Sequence, residues 1–155
     1  MENIRDYLNT WIKIRNVKSN KYWEVENRET KNGANIRQWS WDENNSNKQW
    51  YLSQFPDGGY TITNKSSLKD AEYKNHECEK GSTLRQWNLD EFPSNKIWDF
   101  EFMDGSWRIS PHNNEAKMKN LVVEVKEHKD SDGADIRLWE EDEKVSNKRW
   151  VLEKV

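Results

Sequence analysis

Four side-chain types able to do chemistry recur together three times in this sequence: a guanidinium, an indole two residues on, then an amide and an ammonium side by side. They are Arg37, Trp39, Asn47 and Lys48, then Arg85, Trp87, Asn95 and Lys96, then Arg137, Trp139, Asn147 and Lys148. A guanidinium offers a planar pair of donors that fits carboxylate, sulfate or phosphate, an indole offers a flat apolar face, and an amide both donates and accepts. This is the chemistry of recognition. No nucleophile stands with a base, and neither a glycine-rich phosphate loop nor a recurring pair of carboxylates is present, so the chain is expected not to be an enzyme and to need no cofactor. The run His76-Glu77-Cys78-Glu79 has metal-binding residue types, but His76 and His128 fall at equivalent places, eleven before Trp87 and Trp139, where the first copy has Arg28. They read as turn residues, and no metal is expected.

The elements that must position these groups follow from the repeat itself. The segments Gly33-Ala34-Asn35-Ile36-Arg37-Gln38-Trp39, Gly81-Ser82-Thr83-Leu84-Arg85-Gln86-Trp87 and Gly133-Ala134-Asp135-Ile136-Arg137-Leu138-Trp139 align without gaps, each followed by Ser-Asn-Lys-x-Trp ending at Trp50, Trp98 or Trp150. The period is 48 residues and then 52, the difference lying after Ile109, where an inserted hairpin tip is expected from Pro111 to Asn120. Each copy opens on an alternating run (Trp11 to Arg15, Tyr60 to Thr63, Trp107 to Ser110) and closes on another beginning at Trp50, Trp98 or Trp150. Alternation at period two is the mark of a half-buried strand. Turn signals such as Pro56-Asp57-Gly58-Gly59, Asp104-Gly105, Asn32-Gly33 and Asp132-Gly133 separate the runs. The chain therefore reads as all-β, one domain over residues 1–155, with twelve strands in three units near 9–56, 57–104 and 105–155. A short β-repeat cannot bury its own apolar face, so the three close on one another into a barrel with pseudo-threefold symmetry. Trp50, Trp98 and Trp150 are expected in its core.

Composition agrees. Hydrophobic residues make up 33% and charged residues 34%, yet ten tryptophans supply large buried area from few positions. A net charge of −3, with the basic residues scattered, lacks the footprint of a nucleic-acid binder. The single Cys78 cannot form an internal disulfide, and the first residues lack the apolar stretch of a secretory signal, so cytoplasmic synthesis is expected, with non-classical release open. No run is long and apolar enough to suggest membrane insertion.

With three such copies, the sequence resembles the ricin B-type lectin family of β-trefoils, whose copies end in Gln-x-Trp; here each ends in Lys-x-Trp. The resemblance covers nearly the whole chain and implies a β-trefoil that binds carbohydrate. It further implies a pocket per copy, built from an acidic residue on the second strand, a glutamine and an aromatic around the third, and an Asn-Gln pair before the closing tryptophan. Transferred to this sequence, the acids are Glu24, Glu72 and Glu124, the aromatics Trp39, Trp87 and Trp139, and the asparagines Asn47, Asn95 and Asn147. The glutamines are replaced by Arg37, Arg85 and Arg137 and by Lys48, Lys96 and Lys148.

Two readings of these groups stay open. As a pocket, each set holds one Glu against one Arg and one Lys, an excess of one positive charge that favours an acidic glycan. As a strut, Glu pairs with Arg across neighbouring strands and Lys bonds to backbone carbonyls, a satisfied polar network. Copy one, with Tyr22, Trp23 and Trp41 as surplus aromatics near the site, is the first choice for a working pocket. The competing function is a protein-binding trefoil, a protease inhibitor or a cytoskeletal or receptor ligand, acting through the unique segment 111–120.

Overall fold

The computed structural model describes residues 1–142 and 145–155. Among them lie twelve strands, four to a copy. Copy one supplies β1 (Trp11–Asn16), β2 (Tyr22–Val25), β3 (Ile36–Trp39) and β4 (Trp50–Gln54). Copy two supplies β5 (Tyr60–Asn64), β6 (Asp70–Tyr73), β7 (Leu84–Trp87) and β8 (Trp98–Met103). Copy three supplies β9 (Ser106–Pro111), β10 (Leu121–Val125), β11 (Ile136–Glu140) and β12 (Trp150–Lys154).

The first and last strands of each copy pair in a ring, β1 with β4, β4 with β5, β5 with β8, β8 with β9, β9 with β12 and β12 with β1. This is a closed six-stranded barrel, and closure removes the sheet edges that a lone copy would expose. The middle strands form three hairpins, β2–β3, β6–β7 and β10–β11, which cap one end. Isolated bridges Asn35–Arg85, Arg37–Asp135 and Thr83–Arg137 stitch each hairpin to its neighbours. The architecture is the β-trefoil.

Period two fills the core. In β1 the buried residues are Ile12, Ile14 and Asn16, with Trp11, Lys13 and Arg15 facing outward. Trp50, Trp98 and Trp150 are fully buried, each donating its indole N–H to a backbone carbonyl of its own copy, Trp23, Ala71 and Val123 respectively. The tapered barrel leaves room for one more indole at the second position of β2, and copy one fills it: Trp23 stands edge-on to both Trp50 and Trp150, where the other copies have Ala71 and Val123.

Contacts between copies run round the ring in one direction. Gly33, Gly81 and Gly133, at φ of +90°, +97° and +91°, approach the indole edges of Trp87, Trp139 and Trp39 in the following copy, a backbone state that side chains other than glycine rarely adopt. Gln86 clamps the loop of copy one by donating to the Glu29 and Lys31 carbonyls, and Gln38 clamps that of copy three at Lys129 and Ser131. Copy three has Leu138 in this place, which offers no side-chain amide to the matching loop of copy two.

The insertion is not the hairpin tip that its sequence suggested. Asn16 and Asn64 end the first strands of copies one and two, and their side chains accept from the amides two and three residues on. Pro111 occupies the equivalent register position, opposite Trp98, and has no amide with which to fold that turn. The chain instead makes a one-turn helix, α1 (Asn114–Met118), capped by Asn113, which accepts from the Ala116 amide. Asn113 also reaches the Tyr73 hydroxyl, and Lys119 donates to the Cys78 carbonyl, so the insertion is fastened to copy two.

Candidate functional site

Cross-strand register brings the charged groups together. Glu24 lies opposite Arg37, Glu72 opposite Arg85 and Glu124 opposite Arg137, so in each hairpin the carboxylate and the guanidinium share a face. A short turn before the closing strand then adds the asparagine and the lysine.

All fifteen expected site residues assemble, in three like clusters. Arg Nε donates to Glu Oε2 at 2.7, 2.6 and 2.8 Å, and Lys Nζ stands 3.1, 3.0 and 3.0 Å from Glu Oε1. Asn47, Asn95 and Asn147 donate to the same Oε1 and to the carbonyls of Val25, Tyr73 and Val125. The three glutamates are 3, 2 and 2% exposed and the three lysines 2, 1 and 0%. A lysine is almost never buried unless it is paired. The Glu–Arg half of the strut expectation is present, but the lysines meet the Glu carboxylates and not the backbone carbonyls expected of them. The arginines and tryptophans are partly exposed, each guanidinium lying 4.4, 4.6 or 3.9 Å over the centre of its own copy's indole.

Copy one nonetheless has a cleft that reaches this cluster. It measures about 280 Å³ and is lined by Glu24, Asn27, Arg28, Arg37, Trp39, Asp42, Asn47 and Lys48. In copy two a surface hollow is lined by His76, Glu91, Phe92, Pro93 and Ser94, and none of that copy's Glu72, Arg85, Trp87, Asn95 or Lys96 lines it. A second difference concerns the asparagines. Lys96 and Lys148 donate to the side-chain oxygens of Asn95 and Asn147, at 3.1 and 3.5 Å, but Lys48 turns to Asp42, at 3.3 Å, and the buried Asn47 Oδ1 has no donor among the described residues.

At the site the structure moves one expected aromatic and adds a residue that the repeat displays. Trp23 is a core residue and not an aromatic of the site, because in β2 it points opposite to Tyr22 and Glu24. Asp42, Asp90 and Asp142, each three residues after its tryptophan, stand 3.3 to 3.5 Å from the buried lysines, a threefold recurrence that the sequence displays. The Phe92 amide, with Lys96 beyond it, holds the Asp90 carboxyl below its ordinary value. Arg28, His76 and His128 are indeed turn residues, and with Asn27, Asn75 and Glu127 they form pairs of successive left-handed residues, φ between 53° and 57°. Such strain costs on the order of 1 to 3 kcal/mol per residue outside glycine and asparagine, and at copy one it puts Asn27 and Arg28 on the lip of the cleft. His76 is exposed and Cys78 buried against Asn113, so that run does not converge as a metal site.

A model of the ricin-type β-trefoil lectin domain-like family matches residues 6–87, more than half of the 155. The chain belongs to that family. Its fold is one that supports carbohydrate binding. Among solved structures, this ricin-type lectin-like chain is similar to the designed threefold-symmetric protein ThreeFoil, at 25% identity and TM-score 0.83, covering 94% of this chain and 99% of that one. It is also similar to 1,3Gal43A, an exo-β-1,3-galactanase from Clostridium thermocellum, at 28% identity and TM-score 0.83, covering 95% of this chain but 30% of the galactanase. The ricin B-like lectin of Macrolepiota procera, solved with lactose, shares the fold at 18% identity and TM-score 0.77, with 96% and 97% covered. No curated protein matches by sequence.

Proposed function

We propose that this chain is a non-catalytic carbohydrate-binding module and that, of up to three repeat-related pockets, the copy-one cleft is the first to work. The observation that carries this reading is the convergence of an indole, an arginine, a carboxylate, an amide and a lysine from β2, β3 and the turn before β4 in one cleft. A sugar presents C–H groups on one face and hydroxyls around its rim, and such a lining offers a partner to each. Glu24 has both oxygens engaged by Arg37, Asn47 and Lys48, which suits an orienting carboxylate better than a catalytic acid or base. Trp39 is the platform, Asp42 the accessible acceptor, and Arg28 and Arg37 the donors.

Charge bears on the kind of glycan. The lining holds Arg28, Arg37 and Lys48 against Glu24 and Asp42, an excess of one positive charge that supports an acidic ligand. Glu26 accepts from Arg37 at 3.2 Å and offsets that excess. The balance puts neutral and acidic glycans close together, with salt dependence as the discriminator.

The test is a glycan array carrying neutral and acidic sugars side by side, followed by titration of the hits, with lactose included. Binding that Trp39→Ala removes supports the cleft. Arg37→Gln with Lys48→Gln should shift preference toward neutral sugars if the cations read the ligand. Should neither protein bind any glycan, recognition of a protein through 111–120 becomes the better account.

A further inference from the structure

We infer that the copy-one cleft continues onto a second sugar subsite, formed by Tyr22 and Trp41 with Lys13, so that the module reads a chain of sugars and not a single terminal one. The inference rests on the glycan reading of the cleft and extends it along the surface.

Register supplies the continuity. Tyr22 lies directly opposite Trp39, as Glu24 lies opposite Arg37, so Tyr22 stands beside the platform on the cleft-bearing face of the hairpin. Trp41 immediately precedes Asp42, which lines the cleft, and its ring is 5.1 Å from that of Tyr22 at an angle of 60°. Three part-exposed aromatics, Trp39, Tyr22 and Trp41, thus lead away from the pocket. Above the outer two stands Lys13, on the outward face of β1, with its ammonium 4.5 Å from the centre of Trp41 and 5.4 Å from that of Tyr22.

Charge separates this patch from the cleft. Arg37 and Lys48 are each held by two carboxylates. Lys13 makes no ion pair within 4.0 Å among the described residues, so its three N–H groups are available to hydroxyls while its four-carbon stem lets it move aside. Two tilted rings with a mobile ammonium over them suit a sugar that stacks by its C–H face and hydrogen bonds by its rim.

The patch belongs to copy one. Tyr22 and Trp41 become Asp70 and Leu89 in copy two and Val122 and Glu141 in copy three, neither of which makes a stacking surface. A threefold-repeated pocket explains none of these substitutions, whereas a subsite attached to one pocket does. The occupant is the next sugar of the glycan whose first unit fills the cleft, because the aromatic strip begins at the cleft's own platform.

The experiment is calorimetric titration of the whole chain with galactose, β-1,3-galactobiose and β-1,3-galactotriose, and with the cello- and malto-series of the same lengths. In the series that binds, the disaccharide or trisaccharide should be roughly three- to tenfold tighter than its monosaccharide, the gain that one further aromatic contact brings. Trp41→Leu, which places copy two's residue in copy one, should erase that gain and leave monosaccharide affinity and melting temperature unchanged. Lys13→Met should reduce the gain in part. Equal affinity for all lengths in the wild type, or a gain that survives Trp41→Leu, overturns the subsite while leaving the cleft intact. Absence of binding by every monosaccharide and oligosaccharide overturns both.

Discussion

Lys48 Nζ lies 3.1 Å from Glu24 Oε1, with both side chains within 4% of complete burial, and the pairs Lys96–Glu72 and Lys148–Glu124 repeat that geometry in the other copies. A site residue by family position is therefore also an internal ion pair, and stability and binding have to be separated by the choice of copy.

Copy two allows that separation, because its hollow does not reach the charged cluster. Lys96→Met leaves Glu72 buried with one cation fewer and should cost about 3 to 5 kcal/mol in urea unfolding. Glu72→Gln should be similarly costly, and the double variant should lose clearly less than the sum. Small, additive losses would show that these charges are solvated and not structural.

The closing and platform tryptophans should behave differently. Trp98→Ala empties a fully buried indole site and should cost about 3 to 5 kcal/mol. Trp87→Ala, at a half-exposed site that buries less, should cost under half as much. Equal losses in denaturant melts would mean that the third-strand tryptophans are also core.

Trp39→Ala is the binding counterpart. It removes the indole on which Arg37 lies and should weaken any glycan bound in the cleft at least about tenfold, the change that loss of roughly 1.4 kcal/mol brings. Trp87→Ala, in the copy whose hollow its charged cluster does not line, should leave that affinity unchanged. A loss shared equally by the two variants would spread binding over several copies.

Asp70 gives a pH signature. Burial raises its carboxyl above the ordinary value, against the lowering effects of the Thr63 hydroxyl and Lys96. Folding therefore favours the protonated form, and this group adds stability as pH falls from its raised folded value toward the ordinary value near 3.8, and loses it again as pH rises through that window. At neutral pH the ionised form is a burden, so Asp70→Asn, which keeps an acceptor for Thr63, should raise the melting temperature at pH 7 by a few degrees, or about 1 kcal/mol. It should also abolish the stability gained as pH falls through that window, so that the acid-side decline is steeper than in the wild type. A lowered melting temperature at pH 7 would mean that the carboxylate is the stabilising form.

Much of this was legible because the chain says it three times. Strand parity, turn residues and the closing tryptophans recur at near-constant period, which leaves few folds open. Residue type alone places Trp23 near the site, but one step from Tyr22 and Glu24 on a strand is the opposite face, and parity puts it in the core. Asp42 and its counterparts were overlooked even though they repeat, since the family pattern does not direct attention to them. Helix α1 could not be read from periodicity, because five residues hold barely more than one turn; the visible clue was Pro111 at the register of Asn16 and Asn64. Whether the Glu, Arg and Lys sets were strut or pocket depends on depth, which spacing does not encode.

The missing clamp at Leu138 gives the insertion a structural meaning. All three seams carry backbone bonds, Gly33 to Gln86, Gly81 to Leu138 and Gly133 to Gln38; two are reinforced by a glutamine side chain, and the third by the insertion, through Asn113 to Tyr73 and Lys119 to Cys78. Trimming residues 111–120 therefore removes the side-chain ties of the seam that lacks a glutamine, while the backbone bonds Gly81 to Leu138 and Leu138 to Ser82 remain. The segment that most breaks the molecule's symmetry is thus the one that ties the seam where the repeated clamp is missing.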